Sequence, residues 1–258
     1  MNTASNSPAR IALITGGSRG LGKSMALALA DHGVDVVLTY RKEAAEAESV
    51  VKAITSKGRK AAALQLDVGD AKSFPAFADT LRRELESRFG RPVLDALVNN
   101  AGVGLHASFA ETTEEQFDSL MNIHLKGTFF LTQRLLPLLV DGARILNVST
   151  GLARFSLPGY AAYATMKGGV ETLTRYLAKE LGPRRISVNV LAPGAIATDF
   201  GGGAVRDNPQ VSQFVASVTA QGRPGLPDDI GGAVAMLLSP EMGWMTGQRV
   251  ELSGGMFL

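Results

Sequence analysis

Tyr163 and Lys167 stand four positions apart in a stretch whose apolar residues, Val170, Leu173, Leu177 and Leu181, recur at helical spacing, so both side chains leave one face of a helix. A free phenol keeps its proton to about pH 10, and a neighbouring ammonium favours the phenolate. The pair thus offers general acid/base chemistry, although such pairs are also common on exposed helices that do nothing further. Three histidines, His32, His106 and His124, are too scattered for a metal cluster, and no metal site is expected. His32 closes the first expected helix, where a cation suits the dipole, and His106 reads either as an edge of a substrate cleft or as a surface-loop residue. With no cysteine, thiol nucleophiles, disulfides and thiolate zinc sites are excluded.

A second motif is Thr15-Gly16-Gly17-Ser18-Arg19-Gly20-Leu21-Gly22, between an apolar run and a helical pattern that begins with Met25 and Leu27. Glycines there permit a tight turn and let backbone approach a pyrophosphate, whose charge suits the amides and dipole of a helix start. Context makes this cluster informative, because it lies between the first strand and the first helix as dinucleotide binding requires. The second strand ends Tyr40-Arg41-Lys42 and meets no acid before Glu43. An acid there would bind a ribose hydroxyl, whereas Arg41, with Arg19 in reach, can pair with a 2′-phosphate, so NADP(H) is the expected cofactor.

The elements that must hold these residues alternate along the chain. Arg10 to Thr15, Val34 to Tyr40, Lys60 to Leu66, Val93 to Val98, Ala143 to Ser149, Ile186 to Leu191 and Arg249 to Leu252 read as strands, with helical patterns between them. Continuous apolar runs such as Ile145 to Val148 imply strands covered on both faces, hence a doubly wound α/β domain with a parallel sheet. Ligands in such sheets sit at the carboxyl ends of the strands. Residues 1–9 read as a flexible tail and residues 10–258 as one domain, with an irregular substrate loop over about 198–227.

At this point the chain resembles the short-chain dehydrogenase/reductase family over nearly everything from Ile11 to Leu258. The glycine loop, Asp67 after the third strand, Asn99-Asn100-Ala101-Gly102 after the fourth, Tyr163-x-x-x-Lys167, and Pro193-Gly194 followed by Thr198 occur in family order. The resemblance implies a seven-stranded Rossmann-type sheet and a homo-oligomer, a tetramer or a dimer. It also implies that Thr15, Gly16, Ser18, Arg19, Gly20, Leu21 and Gly22 hold the cofactor, with Tyr40, Arg41, Asp67 and Val68 at its adenosine end. Asn100, Ala101, Gly102, Pro193, Gly194, Ile196 and Thr198 would line the rest with Tyr163 and Lys167.

By the same resemblance Tyr163 gives a proton to a carbonyl oxygen, Lys167 also holds the nicotinamide ribose, and the hydroxyl thirteen residues before the tyrosine, here Thr150, touches the substrate oxygen. Ser149 is the substitute for Thr150. His124 occupies the slot where the family carries an asparagine in a proton relay, so the imidazole either relays protons or only packs. Asn122, about 200° around a helix from that slot, should face elsewhere. The expected activity interconverts a ketone or aldehyde and an alcohol. The similarity leans towards 3-oxoacyl thioesters, while other small carbonyl compounds fit as well. The rival reading is an NADP(H)-binding sensor or scaffold without turnover.

Bulk properties agree. Twenty-six basic and 24 acidic residues spread along 258 positions leave a net charge of +2 and no basic stripe, so nucleic acid is not an expected partner. No run is long and apolar enough to span a membrane, and the start lacks the apolar core of a secretory signal, so a cytoplasmic protein is expected. The long helical patterns from Thr113 to Leu139 and Tyr160 to Leu181, with the apolar tail Leu252 to Leu258, are the expected subunit contacts.

Overall fold

The structure, a computed structural model, describes residues 9–258; the tail expected over residues 1–9 lies, except for Ala9, outside the described residues. Seven strands form one parallel sheet in the order β3-β2-β1-β4-β5-β6-β7: β1 (Ile11–Ile14), β2 (Asp35–Tyr40), β3 (Ala61–Gln65), β4 (Leu94–Asn99), β5 (Leu139–Val148), β6 (Ser187–Pro193) and β7 (Arg249–Leu252). The order reverses between β1 and β4, which opens the crevice where such sheets bind ligands.

Alternate residues of each strand enter different helical layers. Ala12 and Ile14 pack with α1 (Gly20–Asp31), α2 (Ala44–Ser56) and α9 (Pro227–Leu237), whereas Ile11 and Leu13 pack with α3 (Phe74–Glu84), α5 (Gly127–Leu135) and α6 (Ala161–Glu180). Burial on both faces is why the strands read as unbroken apolar runs.

Three boundaries differ from the sequence reading. Strand β5 starts at Leu139, four residues before the expected Ala143, and its register against β4 shifts between Leu94 and Ala96. Gly142, at φ +80°, lets the strand bulge just before its expected start. The expected helix from Thr113 is α4 (Glu114–Leu120), followed by a wider π turn over Met121–Lys126 and then α5. The stretch expected to be irregular, 198–227, contains α7 (Ala204–Asp207) and α8 (Pro209–Ser217). Asn208 caps α8 by accepting from the amides of Gln210 and Val211, and Pro209 fills its first turn, so an Asn-Pro pair that looks like a turn is a helix start.

Candidate active site

The loops after β1, β4, β5 and β6 surround one cleft of about 790 Å³ at the carboxyl end of the sheet. Its floor is sewn from backbone. Gly16 sits at φ +65°, and its amide donates to the Thr39 hydroxyl at 3.1 Å. A Cβ on Gly22 would lie 2.2 Å from the Gly16 carbonyl oxygen, so the loop turns into α1 only with glycine there. The Asn100 amide group donates to the Thr15 and Gly16 carbonyls at 2.9 and 3.2 Å, and the Thr15 hydroxyl accepts from the amides of Asn100 and Ala101 at 3.0 Å each. These bonds hold the β1 and β4 loops as one unit. No side chain caps α1, so its first amides are available to an anion, as a pyrophosphate needs.

Ser18, Arg19, Gly20, Leu21, Arg41, Asp67 and Val68 line the cleft towards β2 and β3. Gly102, Pro193, Gly194, Ile196 and Thr198 line it towards β6. Arg41 is exposed at its rim; Arg19 lies 3.9 Å from Asp199. Two expected cofactor residues stand behind the lining rather than in it. Thr15 is buried with its hydroxyl committed to the β4 loop, and Tyr40 packs against the helical layer of α1. Both shape the walls, because a hydroxyl already bonded on several sides and a ring packed in a core have little left to offer a ligand.

At the other end, Tyr163 and Lys167 come from α6, 6% and 5% exposed, and share one face as their spacing requires. Lys167 Nζ donates to the Val148 carbonyl at 2.6 Å and lies 5.8 Å from the centre of the Tyr163 ring. Burial pushes the Lys167 ammonium down to about 8. It also pushes the Tyr163 phenol above its usual value, while the Thr150 hydroxyl works in the opposite direction. The expectation that the ammonium simply lowers the phenol is therefore corrected: desolvation of the phenolate outweighs its neighbours.

Ser149 and Thr150 part company. Ser149 is buried and donates to a carboxylate oxygen of Glu171 at 2.7 Å, whereas Thr150 stands beside the Tyr163 phenol and accepts from the Leu152 amide at 3.3 Å. Asn122 stays out of the cleft lining and contributes its carbonyl to the π turn, accepting from the Gly127 amide. That turn rotates His124 into the cleft wall, and Gly127 must be glycine because a Cβ would lie 2.3 Å from the Val68 carbonyl oxygen. His106 is exposed and outside the cleft lining, edge-on to Tyr160, which lines it, with ring centroids 5.0 Å apart. His32 caps the end of α1, its Nδ1 2.9 Å from the Ala28 carbonyl oxygen.

Sequence reasoning missed four residues that shape this end. Glu171 follows Lys167 by one helical turn and binds Arg249 Nε at 2.8 Å. Arg249 also donates to the Thr150 carbonyl at 3.3 Å and to Glu251 at 2.7 Å, so β7, which carries Arg249 and Glu251, holds the end of β5 that leads to Thr150. Phe200 lies over the phenol, its ring centre 5.9 Å from that of Tyr163. The i,i+4 spacing of Lys167 and Glu171 was a legible signal; Arg249 and Phe200 had none along the chain.

Comparison with known proteins agrees with this geometry. The profile of the enoyl-(acyl carrier protein) reductase family matches residues 16–257. An uncharacterized oxidoreductase of Methylorubrum extorquens is 38% identical over 246 residues, 95% of this chain and 97% of that one. A 3-oxoacyl-acyl-carrier-protein reductase of Staphylococcus aureus is 36% identical over 250 residues, 96% and 98% of the two chains. The crystal structure of the angucycline C-6 ketoreductase LanV with bound NADP superposes with a TM-score of 0.91 at 35% identity, covering 96% of this chain and 95% of that one. With its cleft at the switch point of a seven-stranded parallel sheet, this chain belongs to the short-chain dehydrogenase/reductase family and is an oxidoreductase acting on CH–OH and C=O groups.

Proposed function

We propose that this chain reduces a ketone or aldehyde to an alcohol, and runs the reverse reaction, with Tyr163 as the acid/base. The observation that carries the reading is the convergence of the Tyr163 phenol, the Thr150 hydroxyl and Lys167 Nζ at one end of a cleft whose other end presents Arg41. The cofactor is NADP(H): the glycine cradle and open helix start suit a pyrophosphate, and Arg41 with Arg19 suits a 2′-phosphate. When bound, the nicotinamide carries the hydride.

The protein supplies the proton and the orientation. Thr150 donates a hydrogen bond to the substrate oxygen and fixes it beside Tyr163 Oη. As negative charge develops on that oxygen, the phenol gives up its proton to it, and the Lys167 ammonium stabilises the phenolate left behind. A phenol raised by burial holds its proton until this moment, which suits a donor. Ser149, committed to Glu171, supports the strand end instead of touching substrate.

The protein is further read as cytoplasmic; among the described residues no helix is long and apolar enough to cross a membrane. A homo-oligomer, tetramer or dimer, is supported by Phe117, Phe129, Phe130 and Tyr176, which α4, α5 and α6 leave exposed. Light scattering of the purified protein checks it, and a monomer at micromolar concentration rejects it. The activity is tested by following NADPH absorbance with a panel of ketones and aldehydes. Consumption that requires both the carbonyl and Tyr163 is expected; bound NADPH with no turnover on any carbonyl overturns the reading.

A further inference from the structure

The cleft has two chemically different ends. Of its charged liners, Arg19, Arg41, Lys42, Glu43 and Asp67 come from the β1, β2 and β3 loops, while Lys167 stands beside Tyr163 and Asp199 lies between the ends, 3.9 Å from Arg19. Beyond Tyr163 the walls are apolar, with Phe155, Tyr160, Phe200 and Phe214 set among aliphatic side chains such as Leu157 and Val211.

Three of these aromatic rings, Phe200, Phe155 and Tyr160, lean on neighbours. Phe200 precedes three successive glycines, Gly201, Gly202 and Gly203, at φ +62°, +76° and +78°, a left-handed turn that side chains rarely follow. Across the cleft, a Cβ on Gly104 would lie 3.0 Å from Gly201 Cα and 2.9 Å from the Phe200 ring, so the β4 and β6 loops touch over the phenol. Phe155 packs on Phe257 with ring centres 4.7 Å apart. Tyr160 is propped edge-on by His106.

The cations beside this end are already spent. Arg154, between Leu152 and Phe155, gives both oxygens of Glu251 a hydrogen bond, at 2.8 and 2.7 Å, and donates to the Met256 and Phe257 carbonyls. Arg206 is clasped by Asp207 and Asp199. Asp199 itself lines the cleft, so a phosphate arriving here meets paired guanidiniums and a carboxylate. A flexible acyl chain would also lose rotamer freedom on binding here, a cost that a rigid ring avoids while stacking against Phe155, Tyr160 or Phe200.

We propose that the site takes a neutral, flat ketone whose carbonyl is carried on or fused to an aromatic ring, delivered free in solution and not on a phosphopantetheine arm. The proposal rests on the reductase reading above and sets aside the thioester towards which the sequence leans. The experiment compares kcat/KM at saturating NADPH for α-tetralone, acetoacetyl-CoA and the acetoacetyl thioester of N-acetylcysteamine, in wild type, Phe200→Ala and Phe200→Tyr. NADPH binding is followed separately by its fluorescence. Wild type should favour α-tetralone by at least about tenfold. Phe200→Ala should raise KM for α-tetralone by roughly three- to tenfold, the scale of one aromatic contact, with the thioesters little changed and Phe200→Tyr close to wild type. Faster turnover of either thioester than of the ring ketone overturns the proposal and leaves the reductase reading standing, as does an equal loss on all three substrates in Phe200→Ala. Normal NADPH binding with no turnover of any of the three overturns the proposal, and extension of that silence to the whole panel of ketones and aldehydes overturns the reductase reading as well.

Discussion

The His124 imidazole stands edge-on to the Tyr163 phenol, ring centres 5.1 Å apart and planes at 86°, while its Nε2 lies 2.9 Å from the Val103 carbonyl oxygen. A carbonyl oxygen can only accept, so the shorter contact is a hydrogen bond when Nε2 carries the ring proton, while the Val103 amide faces the same atom from 3.4 Å and Nδ1 is buried without a partner. Gly102 has to be glycine, since a Cβ would lie 2.7 Å from His124 Cε1. Burial, followed by the charge of Lys167, pushes His124 down to about 3, against the opposing bond to Val103. The imidazole is therefore neutral at physiological pH.

A consequence follows for acid stability. An unfolded histidine binds its proton near pH 6.5 and the folded one only near 3, so between these values the unfolded state holds the extra proton. Stability is full above about 6.5 and falls with acid, by at most about 1.4 kcal/mol per pH unit from this group. Urea denaturation across that range should show a shallower acid dependence in His124→Asn than in wild type. The catalytic pH profiles of the two should coincide around neutrality; a neutral limb present in wild type and missing in the variant would restore a proton-carrying role.

Lys167 gives the opposite kind of signature. Its buried ammonium titrates near 8, and the proposed mechanism needs it charged, so kcat/KM for reduction should fall as pH rises beyond about 8. In Lys167→Arg the charge persists, since a guanidinium titrates above about 12, and the limb should vanish even though activity drops. A limb that stays put in the arginine variant belongs to another group.

Tyr163→Phe removes one hydroxyl and keeps the ring that His124 and Phe200 pack against. NADPH affinity should stay near normal while kcat falls by roughly a hundredfold or more, the usual scale of general acid catalysis. Titration of NADPH fluorescence and steady-state rates measure the two separately. Retained turnover would remove the phenol from the mechanism.

In the proposed reading Arg41 selects the nicotinamide by pairing with a 2′-phosphate. Arg41→Asp replaces a charge-assisted phosphate contact by repulsion and should raise KM for NADPH by at least about tenfold with little change for NADH. Kinetics with both cofactors check this, and a wild type that prefers NADH would show that the end of β2 has been misread.

The chain's local pattern by itself determined the parallel sheet, the glycine cradle and the shared face of Tyr163 and Lys167, because strand period, glycine conformation and helical spacing act over a few residues. Local pattern did not separate Ser149 from Thr150, and the preference for Thr150 came from the family resemblance: successive residues of an extended chain point to opposite sides, and in the fold Ser149 meets Glu171 while Thr150 meets Tyr163. Helix α8 was hidden because Asn208 and Pro209 suit a turn as well as a cap. The charge state of His124, the commitment of Arg154 to Glu251 and the position of Phe200 over the phenol were decided by tertiary structure alone. Each depends on desolvation or on a partner distant in sequence, and neither burial nor long-range pairing is written into the spacing of residues along one chain.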